Sequence, residues 1–128
     1  MKKQAGFSIT EILIVLVIMS ILVLLFMPSF DTYTLRANRS DGIKTLMAIQ
    51  LAEEKYRINH ATYGALADVW TGTASYENYY TMAVTVNTAT AYTITATATG
   101  TQTGDTECTT LTVSYSNGTT TKSPANCW

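Results

Sequence analysis

A chain of 128 residues is long enough for one modest domain and too short for two well-packed cores. Its formal net charge of −1 provides no overall attraction to a polyanion such as a nucleic acid. The charge distribution is more informative, because the first 27 positions are almost entirely apolar and the remainder is polar and rich in threonine. The sequence thus combines a segment suited to a membrane with one suited to water.

The first predicted element is an apolar helix of membrane-spanning length. Lys2 and Lys3 precede it, and Ile12–Met27 contains neither a charge nor a helix breaker. A helix over Phe7–Met27 would be about 31 Å long, which is enough to cross a bilayer core. Because basic residues precede the span and none follows it before Arg36, the N-terminus is expected on the cytoplasmic side.

Two simpler interpretations of this span remain open on hydropathy alone. A secretory signal peptide would need a small-x-small cleavage site, and Phe26–Phe30 is a poor one. An uncleaved signal anchor would leave the Gly6-Phe7 pair and the acidic Glu11 unexplained. A carboxylate within a membrane span costs a few kcal/mol, so Glu11 is expected to have a function.

The N-terminal residues closely resemble the class III signal of type IV pilins. The matching residues are Lys2 to Gly6, then Phe7-Ser8-Ile9-Thr10-Glu11, then the aliphatic run to Pro28. The resemblance implies cleavage between Gly6 and Phe7 by a prepilin peptidase, followed by N-methylation of Phe7. It also implies that Glu11 acts in subunit assembly and that Pro28 kinks the helix.

Cleavage would create a partner for the Glu11 carboxylate, namely the free amine of Phe7. This amine would lie one helical turn away in the same chain, or would be presented by a neighbouring subunit. Pairing between subunits would set the axial register of bundled helices. The alternative is that the Glu11 side chain extends to the lipid headgroups.

Helical spacing of apolar residues continues beyond Pro28 to about Asn59. The stripe predicted to face a sheet consists of Ile43, Leu46, Met47, Leu51 and Ile58. Glu53 and Arg57 are placed at i, i+4 to form a weak ion pair. The charges of this segment have mixed signs, which is typical of a solvated helix surface.

From Tyr79 the pattern changes to a period of two, which predicts β-strands. Strands are expected over about Tyr80–Val86, Tyr92–Ala98, Thr110–Tyr115 and Thr119–Lys122, and Asn117-Gly118 is a strong hairpin signal. The apolar face of such an antiparallel sheet must be covered, and the helical stripe is the candidate of suitable length. The predicted fold is therefore α+β, with a long N-terminal helix packed on a four-stranded antiparallel sheet, as in the pilin ladle fold.

The predicted organisation has four parts. A cleaved leader covers residues 1–6, a transmembrane and filament-core helix covers 7–28, and an amphipathic continuation of the helix covers 29–59. Residues 60–128 contain the helix-to-sheet loop, the sheet and a C-terminal region closed by a disulfide. Within the loop, the candidate anchors against the sheet are Tyr63, Leu66, Val69 and Trp70.

The two cysteines, Cys108 and Cys127, lie near the C-terminus. Outside the cytoplasm such a pair is most simply a disulfide, and a metal site is disfavoured because His60 is distant and alone. In pilins a C-terminal disulfide pair encloses the so-called D-region. The spacing Gln102-x-x-Asp105-x-x-Cys108-x-x-Leu111, and the ending Cys127-Trp128, resemble small minor pilins of the type IVa class.

No residue set typical of catalysis or of a cofactor site occurs, so neither an enzyme nor a bound metal is predicted. His60 lies at a predicted helix end, where a structural role is expected. Asp105 and Glu107 are interpreted as a solvated turn rather than a calcium loop. The formal glycosylation sequon at Asn117 is explained by the hairpin turn.

The favoured function is a structural subunit of a type IV pilus, serving adhesion, twitching motility or DNA uptake. The expected partners are other pilin subunits, the prepilin peptidase and inner-membrane assembly machinery. The subunit would reside in the inner membrane before assembly and in an extracellular pilus afterwards. The small size and the Cys127-Trp128 ending favour a minor subunit.

Two alternatives share the N-terminal signal. A DNA-binding minor pilin would need a basic surface, whereas after Asn59 the sequence sets one lysine, Lys122, against four acidic residues: Asp68, Glu77, Asp105 and Glu107. A type II secretion pseudopilin would generally have a calcium loop and no C-terminal cysteine pair. The acidic head and the cysteine pair therefore disfavour these two alternatives.

Overall fold

The computed structural model describes residues 6–128, except for the side chains of Pro28 and Ser29. The leader residues 1–5, including Lys2 and Lys3, lie outside the described residues. The chain divides into two compact units, one ending at Thr34 and one formed by Leu35–Trp128, which we call the head.

Helix α1 covers Ile9–Arg57 and contributes to both units. It ends two residues before the predicted end at Asn59. The helical backbone is continuous through Pro28. A proline in a helix interior removes one backbone hydrogen bond, and the bend expected from it at Pro28 remains a prediction.

The head contains a four-stranded antiparallel sheet, as predicted. Its strands are β1 (Tyr80–Asn87), β2 (Ala91–Ala98), β3 (Thr110–Ser116) and β4 (Thr119–Ser123), arranged in the order β1-β2-β3-β4. The β3–β4 turn has positive φ angles at Asn117 and Gly118, 47° and 87°, as the Asn-Gly hairpin signal requires. The α+β fold predicted from the two periodicities is confirmed.

The face of α1 that is buried in the head differs from the predicted stripe. The buried positions are Asp41, Gly42, Thr45, Leu46, Ile49 and Glu53, and Ile43 is half-buried. Three members of the predicted stripe are exposed instead, with 46% of Met47, 71% of Leu51 and 80% of Ile58 accessible to solvent. The prediction was wrong for these three residues because small and polar side chains occupy much of the sheet-facing side.

Gly42 shows why a residue without a side chain is buried in this helix. A Cβ atom added at Gly42 would lie 2.9 Å from the ring of Tyr80, which is itself buried on β1. The glycine therefore allows an aromatic ring to approach the helix backbone closely. Such a contact is invisible to a search for apolar spacing, which assigns Gly42 no tendency to be buried.

Residues 58–79 connect α1 to the sheet through one short helix, α2 (Leu66–Val69). Tyr63 is buried and packs edge-on against Tyr92 of β2, with ring centroids 4.7 Å apart. Leu66, Val69 and Trp70 pack against the same core, so all four predicted anchors contact it.

The predicted disulfide joins Cys108 and Cys127, whose Cα atoms are 5.8 Å apart. Both cysteines are buried in the head core. The bond attaches the C-terminal 3-10 turn Ala125–Cys127 to the segment just before β3, and it prevents this end of the chain from fraying.

Candidate functional site

The N-terminal unit begins with the residues predicted to be cleaved and modified. Phe7 precedes the helix and 82% of its surface is accessible. The Ser8 carbonyl accepts hydrogen bonds from the backbone N–H groups of Glu11 and Ile12, at 3.0 and 3.2 Å. Glu11 is consequently fixed in the first turn of α1, where the helix dipole favours a carboxylate.

The segment Ile9–Met27 carries the apolar surface of this unit. Among the residues that the structure describes, it is the one helical stretch long and apolar enough to cross a membrane. None of it is buried by the other residues that the structure describes. Its large apolar side chains all have at least 44% of their surface accessible. Such a surface needs lipid or other protein to cover it.

The head contains a buried polar cluster that sequence reasoning missed. Arg39 of α1 donates two hydrogen bonds to the Asp105 carboxylate, and the one from Nη2 to Oδ1 measures 2.7 Å. The Gln102 amide donates to the Leu35 carbonyl at 2.9 Å and to the Tyr80 hydroxyl at 3.1 Å. The hydrogen bond to Asp105 raises the pKa of the Arg39 guanidinium above its usual range.

This cluster attaches the 3-10 turn Gly100–Gly104 and the residue after it to α1. The prediction that Asp105 lies in a solvated turn was therefore wrong, since only 8% of its side-chain surface is accessible. The Gln102-x-x-Asp105 spacing was the available signal. However, no local pattern indicates that Arg39, 66 residues earlier in the chain, supplies the opposite charge.

A second buried carboxylate, that of Asp41, organises the approach to β1. It accepts hydrogen bonds from the Ser75 hydroxyl and from the backbone N–H groups of Glu77, at 3.0 Å, and Tyr79, at 3.4 Å. These three donors come from the end of the helix-to-sheet connection. Asp41 and Asp105 each hold an irregular segment against the helix, which explains how acidic side chains are tolerated in the core.

A cleft of about 370 Å³ lies where the end of α1 meets the β1–β2 and β3–β4 turns. Its lining comprises Arg57, Tyr63, Ala89, Thr90, Tyr115, Asn117 and Gly118. The Arg57 guanidinium donates to the carbonyls of Ala89, at 3.2 Å, and His60, at 2.6 Å. The predicted Glu53–Arg57 ion pair is therefore not formed, since Arg57 contacts the β1–β2 turn and Glu53 is directed into the core.

Burial of acidic side chains changes the charge balance that the head presents to a partner. Asp41, Glu53 and Asp105 have at most 7% of their surface accessible. The exposed cations of α1 in the head include Lys44 and Lys55. The acidic count made from Asn59 onward therefore overstates the negative charge of the surface, because it includes Asp105 and omits the helix.

Within residues 6–128, no group of three or more side chains of the metal-binding types is clustered. His60, the single histidine, stacks on the ring of Tyr56 with 3.7 Å between centroids, and its Nδ1 lies 2.9 Å from the Tyr56 carbonyl. This places His60 at the end of α1, as predicted.

Comparison with known proteins found family matches for the N-terminal segment and for most of the head. Residues 1–27 match the prokaryotic N-terminal methylation motif, and residues 28–112 match a family model described as "Type IV minor pilin ComP, DNA uptake sequence receptor". The type IV major pilin protein PilE1 of Neisseria gonorrhoeae is 31% identical over 85 residues, which are 65% of this chain and 40% of that protein. The type II secretion system core protein G of Klebsiella pneumoniae is 30% identical over 63 residues, 49% of this chain and 45% of that protein.

The matched segment thus spans less than half the length of each of these two relatives. The family model, by contrast, covers well over half of this chain and includes α1 from Pro28, the connection, β1, β2 and the first three residues of β3. The chain belongs to the type IV minor pilin family that this model describes.

Proposed function

We propose that the protein is a structural subunit of a type IV pilus that polymerises through its N-terminal helix. The observation that carries this proposal is the apolar segment Ile9–Met27, which none of the described residues covers and which has Glu11 in its first turn. Burying such side chains among copies stabilises a fibre by about 25 cal/mol per Å² of apolar surface.

The proposed maturation creates the charge that Glu11 needs. A prepilin peptidase cleaves between Gly6 and Phe7, and the exposed Phe7 amine is N-methylated. In a bundle without lipid, the Glu11 carboxylate of one subunit pairs with the Phe7 amine of its neighbour. The exposed Phe7 and the position of Glu11 in the first helical turn support this geometry.

The partners proposed for the chain follow from this route. Before assembly the subunit resides in the inner membrane with the assembly machinery and other pilin subunits, and afterwards it forms part of an extracellular pilus. Its role is non-enzymatic and uses no cofactor. The Cys108–Cys127 disulfide favours a pilus subunit over a secretion pseudopilin.

Mass spectrometry of the protein from sheared surface fibres tests this proposal. We expect a mature chain that begins at Phe7, carries one N-methyl group and contains the disulfide. Recovery of the chain from cells only with Met1–Gly6 attached, and never in fibres, would contradict the proposal.

A second candidate function is a receptor for DNA during uptake. The observation that favours it is the match of residues 28–112 to a family whose description names a DNA uptake sequence receptor. The cleft at the end of α1 offers Arg57 beside two tyrosine rings, Tyr63 and Tyr115, and the buried acids do not oppose a phosphate there. Arg39 is not offered to a DNA phosphate, because its guanidinium is paired with Asp105.

This candidate is tested by titrating labelled duplexes with the full chain in detergent micelles at several salt concentrations. We expect binding that weakens as salt rises, and a smaller salt dependence in Arg57→Gln, by about one phosphate contact. Arg36→Gln, on a different part of α1, is the matched control. Binding that is absent at low salt, or equal in the Arg57 variant and wild type, would exclude the cleft as the receptor site.

A further inference from the structure

Glu53 is a fully buried carboxylic acid that the proposed functions do not use. It lies on the sheet-facing side of α1 with no accessible surface. Its Oε2 atom accepts a hydrogen bond of 2.8 Å from the backbone N–H of Gly64, across the start of the helix-to-sheet connection. Its Oε1 atom has no hydrogen-bond partner among the residues that the structure describes. A buried polar atom of this kind is rare and calls for an explanation.

The charged groups around Glu53 do not neutralise it. Arg57, one turn further along α1, donates instead to the carbonyls of Ala89 and His60. The charges acting on Glu53 are two further acids, Glu54 of α1 and Asp68 of α2. From the sheet, the Tyr92 hydroxyl donates to Glu54, at 3.2 Å. Burial raises the pKa of Glu53, the like charges of Asp68 and Glu54 raise it further, and the hydrogen bond from the Gly64 N–H lowers it by less than burial raises it.

The segment that covers Glu53 fits closely. A Cβ atom added at Gly64 would lie 2.9 Å from Val69 Cγ1, 3.2 Å from Asp68 Cβ and 3.3 Å from the Tyr56 ring. There is therefore no room for a larger residue at position 64, where the Gly64 backbone lies against the carboxylate and Val69 and Asp68 lie against Gly64. The contact between Gly64 and Glu53 links this segment directly to α1.

We propose that Glu53 is a pH-operated latch that holds the helix-to-sheet connection against α1 while it is protonated and loosens it when it ionises. A neutral carboxylic acid is tolerated in this closed, cation-free site. When the proton leaves to bulk water, the charged Oε1 atom requires water molecules, which can reach it only if residues 64–69 open. Ala65, Ala67 and Asp68 of this segment are exposed, so the latch controls the mobility of part of the head surface.

The direction of the pH dependence follows from the raised pKa. The closed form binds the proton more tightly than an open form, in which Glu53 has an ordinary pKa near 4.5. The stabilisation of the closed form is complete below that value and is lost as the pH rises through the closed-form pKa. The equilibrium constant for opening rises by at most tenfold per pH unit within that window and is constant above it.

Hydrogen–deuterium exchange of the full chain in detergent micelles tests the latch. Rates for peptides covering residues 60–70 are divided by the intrinsic exchange rates, which gives the opening constant at each pH. We expect this constant to rise with pH above about 4.5 and then to level off in wild type, and to stay level throughout in Glu53→Gln, whose amide carries no charge. Glu77→Gln, an exposed acid in the same connection, is the matched control and should behave as wild type.

A wild-type opening constant that is independent of pH, or one that rises equally in Glu53→Gln, would overturn the proposal. A second measurement needs no variant. The carboxyl ¹³C chemical shift of Glu53 in the wild-type chain should titrate with its midpoint at the pH where the opening constant levels off. A midpoint at the ordinary value near 4.5 would also overturn it.

Discussion

The two units of this chain differ in where their stabilising free energy comes from. In the segment Ile9–Met27 none of the side chains is buried, although nearly all are apolar. In the head, Leu46, Ile49 and Ile94 have no accessible surface, and three acids are buried beside them. The head encloses its own core, whereas the N-terminal segment must obtain burial from lipid or from other subunits.

This difference shows that apolar content alone does not identify a core. The head tolerates Asp41 and Asp105 in its core because each accepts several hydrogen bonds, as Asp41 does from Ser75 and two backbone N–H groups. The N-terminal segment has one acid, Glu11, for which a partner from another molecule is proposed. The comparison therefore predicts that N-terminal changes alter assembly and that core changes alter the folding of the head.

The largest effect is expected from Glu11→Ala. Removal of the proposed pairing should leave membrane insertion intact and reduce recovery in sheared fibres by about tenfold or more, since about 1.4 kcal/mol per subunit contact corresponds to tenfold. The measurement is the ratio of fibre to membrane protein by immunoblot. Ser20→Ala is the control, because the Ser20 hydroxyl already donates to its own helix at Leu16, at 2.8 Å. Equal fibre recovery for Glu11→Ala and wild type would remove the proposed role of the acid.

Leu46→Ala should destabilise the head by about 2–5 kcal/mol, because it leaves a cavity at a position with no accessible surface. Urea unfolding of the full chain in micelles measures this, with Trp70 and Trp128 as fluorescent reporters in the head. Met47→Ala, next in sequence and 46% exposed, should cost much less. Similar losses from the two variants would mean that the buried face of α1 has been assigned incorrectly.

Asp105→Asn tests the buried polar cluster and should cost about 1–3 kcal/mol of head stability. The variant retains the shape of the side chain but removes the charge that the half-buried Arg39 requires. Glu107→Gln changes an exposed acid two residues away and should alter stability by less than about 0.5 kcal/mol. If both variants unfold at the same urea concentration as wild type, the cluster contributes specificity of packing rather than stability.

Much of the fold could be predicted from the sequence because two periodicities are clear in it. The alternation of threonine with apolar residues gave β2 and β3 to within one or two residues, and Asn117-Gly118 gave the turn before β4. The predicted disulfide and the four anchors of the connection also agree with the structure. The strand, turn and anchor signals are local in the sequence, and the two cysteines can pair only with each other.

The side of α1 that is buried in the head could not be predicted from apolar spacing. Gly42, Thr45 and Glu53 lie on its buried side, and each contacts a residue beyond the end of the helix: Tyr80, Tyr76 and Gly64, respectively. An apolar periodicity assigns such residues to solvent. The Arg39–Asp105 pair was missed for the same reason, since neither residue indicates the other in the sequence.

A change at Leu51 is expected to have the smallest effect on folding, and it tests directly how the head differs from the segment Ile9–Met27. It belongs to the head, yet 71% of its surface is accessible, and it shares one side of α1 with Met47 and Ile58. Leu51→Gln should therefore change head stability in micelles by less than about 0.5 kcal/mol. If this side of α1 is covered by another subunit in the fibre, the same variant should reduce fibre recovery, as a change in Ile9–Met27 would.

Val86→Gln is the control for Leu51→Gln, because Val86 is an exposed apolar residue on β1 rather than on the helix. A stability loss in micelles above about 1 kcal/mol for Leu51→Gln would show that the head itself covers this side of α1. A fibre yield that falls equally in the two variants would attribute the loss to polarity at any exposed site. If fibre recovery falls only in Leu51→Gln, the part of α1 that contacts other subunits includes residues of the head as well as Ile9–Met27.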